Sequence, residues 1–357
     1  MTAIPAYALI THVVTVLGLL AVGKTRTFRK AALLLGVLAA AAIVSQLRLT
    51  DYEVYAEAFR NIDLRRRLAD QTSPWGFEVG YAWITYTARY FTDEFNYVRL
   101  LLVFAALALK VALLWRWVEK ASVVSLIFYV AIVFYPDSYL LRAALASSFT
   151  MLGVWVLMVG RPAYQFVLAL AIASSIHLSA LIALPIWFFR EVDVSKVTGL
   201  LAVVGILLLG AVGIGHSSAD LAANHLPSGL GIVSKLVMYR SSELFGGNVG
   251  LLRGSVLIYT AITVLFILLK RSISMRLPNY GLVLATMLYS MVLLAGLSDY
   301  VVLADRLFRI LGFIFVVAFG QILLSIRKEE RRLAALLVVV VLNVAPYFVT
   351  PYDIGLL

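Results

Sequence analysis

Ten stretches of 16 to 22 mostly apolar residues, separated by charged connectors, occupy most of this chain. A helix needs about 17 to 25 such residues to cross a bilayer, and only helices and closed barrels satisfy their backbone polar groups in lipid. The sequence therefore predicts an all-α polytopic integral membrane protein with about 10 to 12 transmembrane helices, some of them short or broken. The stretches are residues 6–23, 31–47, 97–118, 121–136, 139–160, 197–215, 251–269, 280–298, 307–326 and 333–350.

Composition excludes several classes of protein. Of the 357 residues 62% are hydrophobic and 14% are charged, whereas roughly a quarter are charged in soluble domains. Cysteine is absent, which excludes disulfides, thiolate metal sites and cysteine nucleophiles. The four histidines are scattered, and neither HExxH nor a GxxxxGK[ST] loop occurs, so a zinc hydrolase and a P-loop ATPase are excluded. We expect no metal and no cofactor.

The net charge of +11 lies mainly in short connectors between the apolar stretches. Lys and Arg are enriched on the cytoplasmic side of membrane proteins, so the connectors 24–30, 270–276 and 327–332 are predicted to be cytoplasmic. The segments 48–96 and 216–250 are then external. We expect one membrane domain over 1–357 with these two segments covering a site on the external face, and no nucleic acid partner.

The number of times that the apolar region 163–189 crosses the membrane decides on which side the later connectors lie. If it were one span, the basic connector 270–276 would lie outside, so we predict two short arms that meet near Ser175–Ser179 with His177 at the external turn. The alternative is that 78–92 crosses the membrane, but its apolar part is only about 12 residues long and carries an arginine and three tyrosines, short of a full span. Within 48–96, apolar residues three to four apart from Tyr52 to Ile62 predict an amphipathic surface helix.

Among the ionisable residues within or at the ends of apolar stretches, where a charge costs roughly 2.5 to 3.5 kcal/mol on insertion scales, four are candidates for a function. They are Arg142, His177, Arg306 and Arg309, and the predicted topology places all four at the external face. Three arginines beside a histidine are typical of a phosphate or pyrophosphate site. Structural alternatives are arginines that snorkel to the headgroups or pair with Asp137 and Asp305, and a histidine that only forms a hydrogen bond across the break between the two short arms. Lys110, within another span, is expected to snorkel.

The same residues resemble the EpsG/Wzy class of bacterial polysaccharide polymerases, in motifs ordered over roughly residues 45–325. The matching elements are D-Y-x-x-Y at Asp51, Tyr52 and Tyr55; E-x-G-Y at Glu78, Gly80 and Tyr81; L-R-x-A-L-A around Arg142; A-x-x-x-H-x-S-A-L around His177; and R-x-x-R at Arg306 and Arg309.

The resemblance implies an integral glycosyltransferase of the bacterial inner membrane. It would polymerise undecaprenyl-pyrophosphate-linked oligosaccharide repeat units on the periplasmic face, with flippase and chain-length regulator proteins and membrane lipids as partners. Arg142, Arg306 and Arg309 would bind the donor pyrophosphate. His177 would be the general base, with Glu78 and Asp51 as rivals. Candidate sugar-binding aromatics are Tyr52, Tyr55, Trp75 and Tyr81.

Two other functions use similar residues. An O-antigen-ligase-like transferase shares the donor and differs only in its acceptor. A transporter or flippase for a lipid-linked or anionic solute also contains membrane arginines and broken helices, but such sites lie near the midplane between repeats. The polar residues here are predicted to lie toward one face, and no repeat is evident, so the polymerase is favoured.

Overall fold

The computed structural model describes residues 13, 16–17, 25–45, 52–65, 77–118, 121–129, 141–212, 254–277, 279–297 and 301–326. This part of the chain is helical and contains no strand. The helices are α1 Arg26–Ser45, α2 Tyr52–Arg60, α3 Val79–Arg89, α4 Phe95–Val118, α5 Ser122–Tyr129, α6 Leu141–Met158, α7 Ala163–Ile176, a 3₁₀ helix Leu178–Glu191, α8 Lys196–Val212, α9 Gly254–Leu268, α10 Lys270–Ser274, α11 Tyr280–Gly296 and α12 Val301–Ser325.

Four of the described helices are long and apolar enough to cross a membrane: Arg26–Val44 in α1, all of α4, all of α6, and Arg306–Ser325 in α12. Four further apolar helices are shorter: α7, Lys196–Ala211, Val256–Leu268 and α11. The predicted all-α polytopic membrane fold is thereby confirmed. The expected span 333–350, the connector 327–332 and the segment 216–250 lie outside the described residues.

Helices α4, α6 and α12 run parallel at the centre of the bundle. Ser148 Oγ of α6 donates to the Ala106 carbonyl of α4 at 3.0 Å, and the adjacent Ser147 Oγ donates to the Ile310 carbonyl of α12 at 3.1 Å. Eleven residues further along both partner helices, Gln321 Nε2 donates to the Trp117 carbonyl at 2.8 Å. The equal spacing means that α4 and α12 point the same way. Arg116 of α4 also lies over the Trp155 ring of α6, further along both helices than the contact between Ala106 and Ser148. Helix α6 therefore points the same way, and all three helices begin at one end of the bundle.

Basic residues of two connectors lie at the opposite end, where the three central helices finish. Arg26, Arg29 and Lys30 of α1 surround the Trp115 ring near the end of α4. Arg276 donates to the Leu324 carbonyl near the end of α12. The connectors 24–30 and 270–276 therefore share one end of the molecule, as their charge predicts.

Residues 163–191 form a hairpin with its tip at His177. Helix α7 ends at Ile176, His177 is extended with φ −153° and ψ 112°, and the 3₁₀ helix follows. Phe166, near the start of α7, packs on Trp187, near the end of the 3₁₀ helix, with ring centroids 5.9 Å apart. The two arms are therefore antiparallel, as predicted, and the hairpin starts from Gly160, whose φ of +67° favours glycine.

Helices α2 and α3 lie across the end where the central helices begin. Tyr52 Oη of α2 donates to Asn96 Oδ1 of α4 at 2.9 Å, and Phe59 packs on Phe95. Helix α2 buries Tyr55 and Phe59 and exposes its charged face, as predicted for an amphipathic surface helix. The 11 residues of α3 rise only about 16 Å, roughly half the hydrocarbon thickness, so 78–92 does not form a full span.

Candidate functional site

Glu78, the residue just before α3, joins Arg142 and His177 in one cluster. Its Oε2 forms a close ion pair with Arg142 Nη1, at the start of α6. Its Oε1 lies 3.1 Å from His177 Nδ1 and accepts a hydrogen bond from the Leu178 N–H at 3.0 Å. The three side chains are only 18 to 20% exposed. The fold thus brings together residues that are 64 and 99 positions apart in sequence.

The surroundings of Glu78 keep its carboxylate ionised. Burial alone raises the pKa of Glu78, but the His177 hydrogen bond, the Arg142 charge and the Leu178 N–H together lower the pKa to about 2. An ionised carboxylate only accepts hydrogen bonds, so Nδ1 of His177 is the donor. That tautomer leaves Nε2 as the proton-accepting nitrogen of a neutral ring.

Arg142 is held in a cage of three aromatic residues: Tyr55, Phe77 and Tyr81. Its Nε donates to Tyr55 Oη at 3.2 Å, and its guanidinium carbon lies 4.7 Å from the Phe77 ring centroid. The three rings pack on one another with centroids 5.3 to 5.7 Å apart. Cation–π contacts contribute about 0.5 to 2 kcal/mol each, so the cage fixes the direction in which the guanidinium fork points.

The predicted sugar-binding aromatics have different surroundings. Tyr55 and Tyr81 are 7% and 1% exposed because they face each other and Arg142, and Tyr52 contacts Asn96. The Tyr81 hydroxyl has no hydrogen-bond partner within the described residues, and burial raises its pKa. Trp75 and the proposed base Asp51 lie outside the described residues. Sugar binding by these residues stays a prediction.

Arg306 and Arg309 lie on α12, beside the start of α6. Ser147 is level with Arg309 and Ile310, to whose carbonyls its hydroxyl donates. Because α6 and α12 are parallel, a rise of 1.5 Å per residue puts Arg306 about 2 Å and Arg309 about 7 Å deeper along the bundle than Arg142. The arginines of α6 and α12 therefore occupy neighbouring layers at the same end of the bundle.

Sequence reasoning missed Arg99 and Phe77. Arg99 is 3% exposed near the start of α4, and its guanidinium carbon lies 5.3 Å from the Tyr52 ring centroid. The positive charges of Arg99 and Arg142 both oppose the rise in the pKa of Tyr81, so Arg99 lies in the same layer as Arg142. Arg99 is nevertheless detectable in the sequence, because it is the third residue of the apolar stretch 97–118, much as Arg142 is the fourth residue of 139–160. Phe77 gives no comparable signal.

Comparison with known proteins identifies the family. The chain matches the EpsG family over residues 31–355, a range that contains Glu78, Arg142, His177 and both arginines of α12. No curated protein and no solved structure matches the chain. EpsG is a Wzy-like polymerase family, which supports a role related to polysaccharide polymerisation in general. The match covers nearly the whole chain, and the protein therefore belongs to the EpsG family.

Proposed function

We propose that this protein is a glycosyltransferase that polymerises undecaprenyl-pyrophosphate-linked oligosaccharide repeat units at the external face of the bacterial inner membrane. Membership of the EpsG family supports the general role. The observation that carries the specific proposal is the bridge formed by Glu78. It holds a cation suited to pyrophosphate, Arg142, and a proton acceptor, His177, on the two oxygens of one carboxylate.

The external location is supported by the distribution of charge. The basic connectors around Arg26 and Lys270 share one end of the bundle, and Glu78, Arg142 and His177 lie at the other. Because Lys and Arg favour the cytoplasmic side, the Glu78 end faces the outside. An external site suits a substrate that the cell presents there on a lipid carrier.

Arg142 is proposed to bind the donor pyrophosphate. Its guanidinium has five N–H donors, of which Nε is used by Tyr55 and Nη1 by Glu78. A pyrophosphate oxygen accepts hydrogen bonds from the remaining N–H groups, or it replaces the Glu78 carboxylate as the partner of the guanidinium. Arg306 and Arg309 add positive charge from α12. Preorganised donors aimed at a leaving oxygen lower the barrier by roughly 3 to 4 kcal/mol each in comparable sites.

His177 is proposed to be the general base. The acceptor hydroxyl oxygen attacks the anomeric carbon of the donor sugar, the bond from that carbon to the pyrophosphate oxygen breaks, and the hydroxyl proton passes to His177 Nε2. Glu78, bonded to Nδ1, orients the imidazole and stabilises the imidazolium that forms. With a pKa of about 2, Glu78 is a weak base and is better suited to this positioning role. Asp51 remains the rival base.

The proposal is tested with purified protein and a lipid-linked repeat unit as sole substrate. We expect a ladder of products that grow by one repeat unit and one released undecaprenyl pyrophosphate for each new linkage. His177→Gln should abolish turnover while donor binding, measured with the lipid-linked substrate, is retained. A product made only when a different acceptor is supplied would indicate a ligase. Movement of the lipid-linked repeat unit across the membrane without new linkages would indicate a transporter.

The variants also separate the candidate bases. If His177→Gln kept most of its turnover while Asp51→Asn lost it, the base would be Asp51 and His177 would be structural. The control variant is Arg161→Gln, which removes an exposed cation at the other end of the bundle and so measures the effect of losing a charged side chain far from the site.

A further inference from the structure

Four cations crowd around two tryptophans at the end of the bundle opposite Glu78. The charged groups of Arg26, Arg29 and Lys30 lie 5.9, 5.6 and 5.5 Å from the centroid of the Trp115 ring. The next residue, Arg116, has its guanidinium carbon 4.9 Å from the Trp155 ring centroid. The reaction proposed at the other end uses none of these residues.

The residues of α1 near this cluster form a row that matches the shape of a phospholipid. Positions 26, 30, 34 and 38 are four apart, so they lie along one side of a helix, about 6 Å from one to the next. The first two are Arg26 and Lys30, both exposed. The next two are Leu34 and Leu38, which are 52% and 45% exposed. The row thus runs from cations at the helix end to apolar side chains further in.

A cationic end followed by an exposed apolar surface suits a ligand that has an anionic headgroup and an apolar chain. A cluster of cations at the membrane surface attracts the phosphate of an anionic headgroup. Free phosphate makes no favourable contact with the exposed leucines, whereas an acyl chain packs against them. Indole rings also favour the level of the lipid headgroups. We propose that Arg26, Arg29, Lys30 and Trp115 form a binding site for the headgroup of an anionic phospholipid, whose acyl chain lies along Leu34 and Leu38.

The site is tested by native mass spectrometry of the full-length protein in detergent with phosphatidylglycerol or phosphatidylcholine of identical chains. The variant is Arg26→Gln/Arg29→Gln/Lys30→Gln. The control is Arg161→Gln/Lys196→Gln/Arg271→Gln, which removes three exposed cations in the connectors at the same end. Only the variant removes cations that surround one ring, whereas both variants lose the same general attraction to an anionic surface. We therefore expect at least about a tenfold loss of phosphatidylglycerol retention in the variant and about a twofold loss or less in the control.

A second measurement does not depend on how the triple variant folds. Brominated phosphatidylglycerol should quench the fluorescence of the wild-type protein more than brominated phosphatidylcholine does, and Trp115→Phe should remove that difference. Equal losses in both triple variants, equal retention of the two lipids, or displacement of phosphatidylglycerol by millimolar inorganic phosphate would each overturn the proposal. None of these outcomes bears on the polymerase reaction, whose residues lie at the other end.

Discussion

At the scale of single residues, the geometry of the guanidinium matters more than its charge. Arg142 is bound through Nε and Nη1 to two different partners and lies over three rings. Lysine has one compact ammonium group and cannot reproduce a planar fork. The cage therefore distinguishes arginine from lysine, although both are positive.

Arg142→Lys is expected to lower the polymerisation rate by about 100-fold or more, in the range found for the loss of one preorganised donor. Arg161→Lys, the same change at an exposed position, should have little effect. The measurement is the initial rate of repeat-unit addition with equal amounts of purified protein. A rate for Arg142→Lys within threefold of wild type would mean that positive charge alone is sufficient.

Glu78 should also give the stability of the protein a defined pH dependence. Its pKa is lowered from 4.5 to about 2 in the folded protein, so the folded state favours the ionised carboxylate. The sign follows from linkage: this stabilisation is fully present above pH 4.5 and is lost as the pH falls toward 2. The difference in Tm between wild type and Glu78→Gln is expected to stay constant from pH 6 to 8 and to narrow below pH 4.5. A difference that grows on acidification would contradict this assignment.

The sequence predicted part of this cluster and not the rest, for a physical reason. Arg142 and His177 interrupt apolar stretches, and the cost of charge in lipid makes such residues detectable without a structure. The pairing of Glu78 with both depends on how α3 lies across the bundle, which no local pattern encodes. Arg99 also interrupts an apolar stretch, so the same physical argument applies to it.

At the scale of helices, the position of Glu78 depends on close packing of α3 against α7. A Cβ on Gly80 would lie 2.8 Å from the carbonyl carbon of Ser175, closer than real contacts allow. Glycine is therefore required by the approach of the two helices rather than by its backbone angles. Ser175 is two residues before His177, so the same contact sets the separation of Glu78 from the imidazole.

Gly80→Ala is expected to push α3 away from α7, lengthen the contact between Glu78 and His177, and reduce activity at least about tenfold, since misplacement by 1 Å can cost 100-fold. Gly205→Ala is the matched control, because a Cβ there meets nothing within 4 Å. Both variants are compared by polymerisation rate and by Tm. Unchanged activity in Gly80→Ala would show that the position of α3 is not critical.

At the scale of the whole molecule, the charge pattern predicted the direction of the helices. The need to keep 270–276 on the same side as 24–30 predicts a hairpin at His177, and the structure has this hairpin. The charge pattern did not predict that the second arm, which contains Pro185, is a 3₁₀ helix. It also could not supply the parallel contacts of α4, α6 and α12, because these helices are apolar on most faces and pack through buried serine and glutamine hydrogen bonds.

The topology gives two positions whose exposure to the outside should differ. Phe91, just after α3, is 84% exposed at the Glu78 end, and Met275, after α10, is 77% exposed at the basic end. The chain has no cysteine, so Phe91→Cys and Met275→Cys each introduce a single thiol. Because basic connectors remain in the cytoplasm, a membrane-impermeant maleimide is expected to label Phe91→Cys in cells with a permeable outer envelope and an intact inner membrane. Met275→Cys should react only after the inner membrane is opened, and the reverse pattern would place the Glu78, Arg142 and His177 cluster in the cytoplasm.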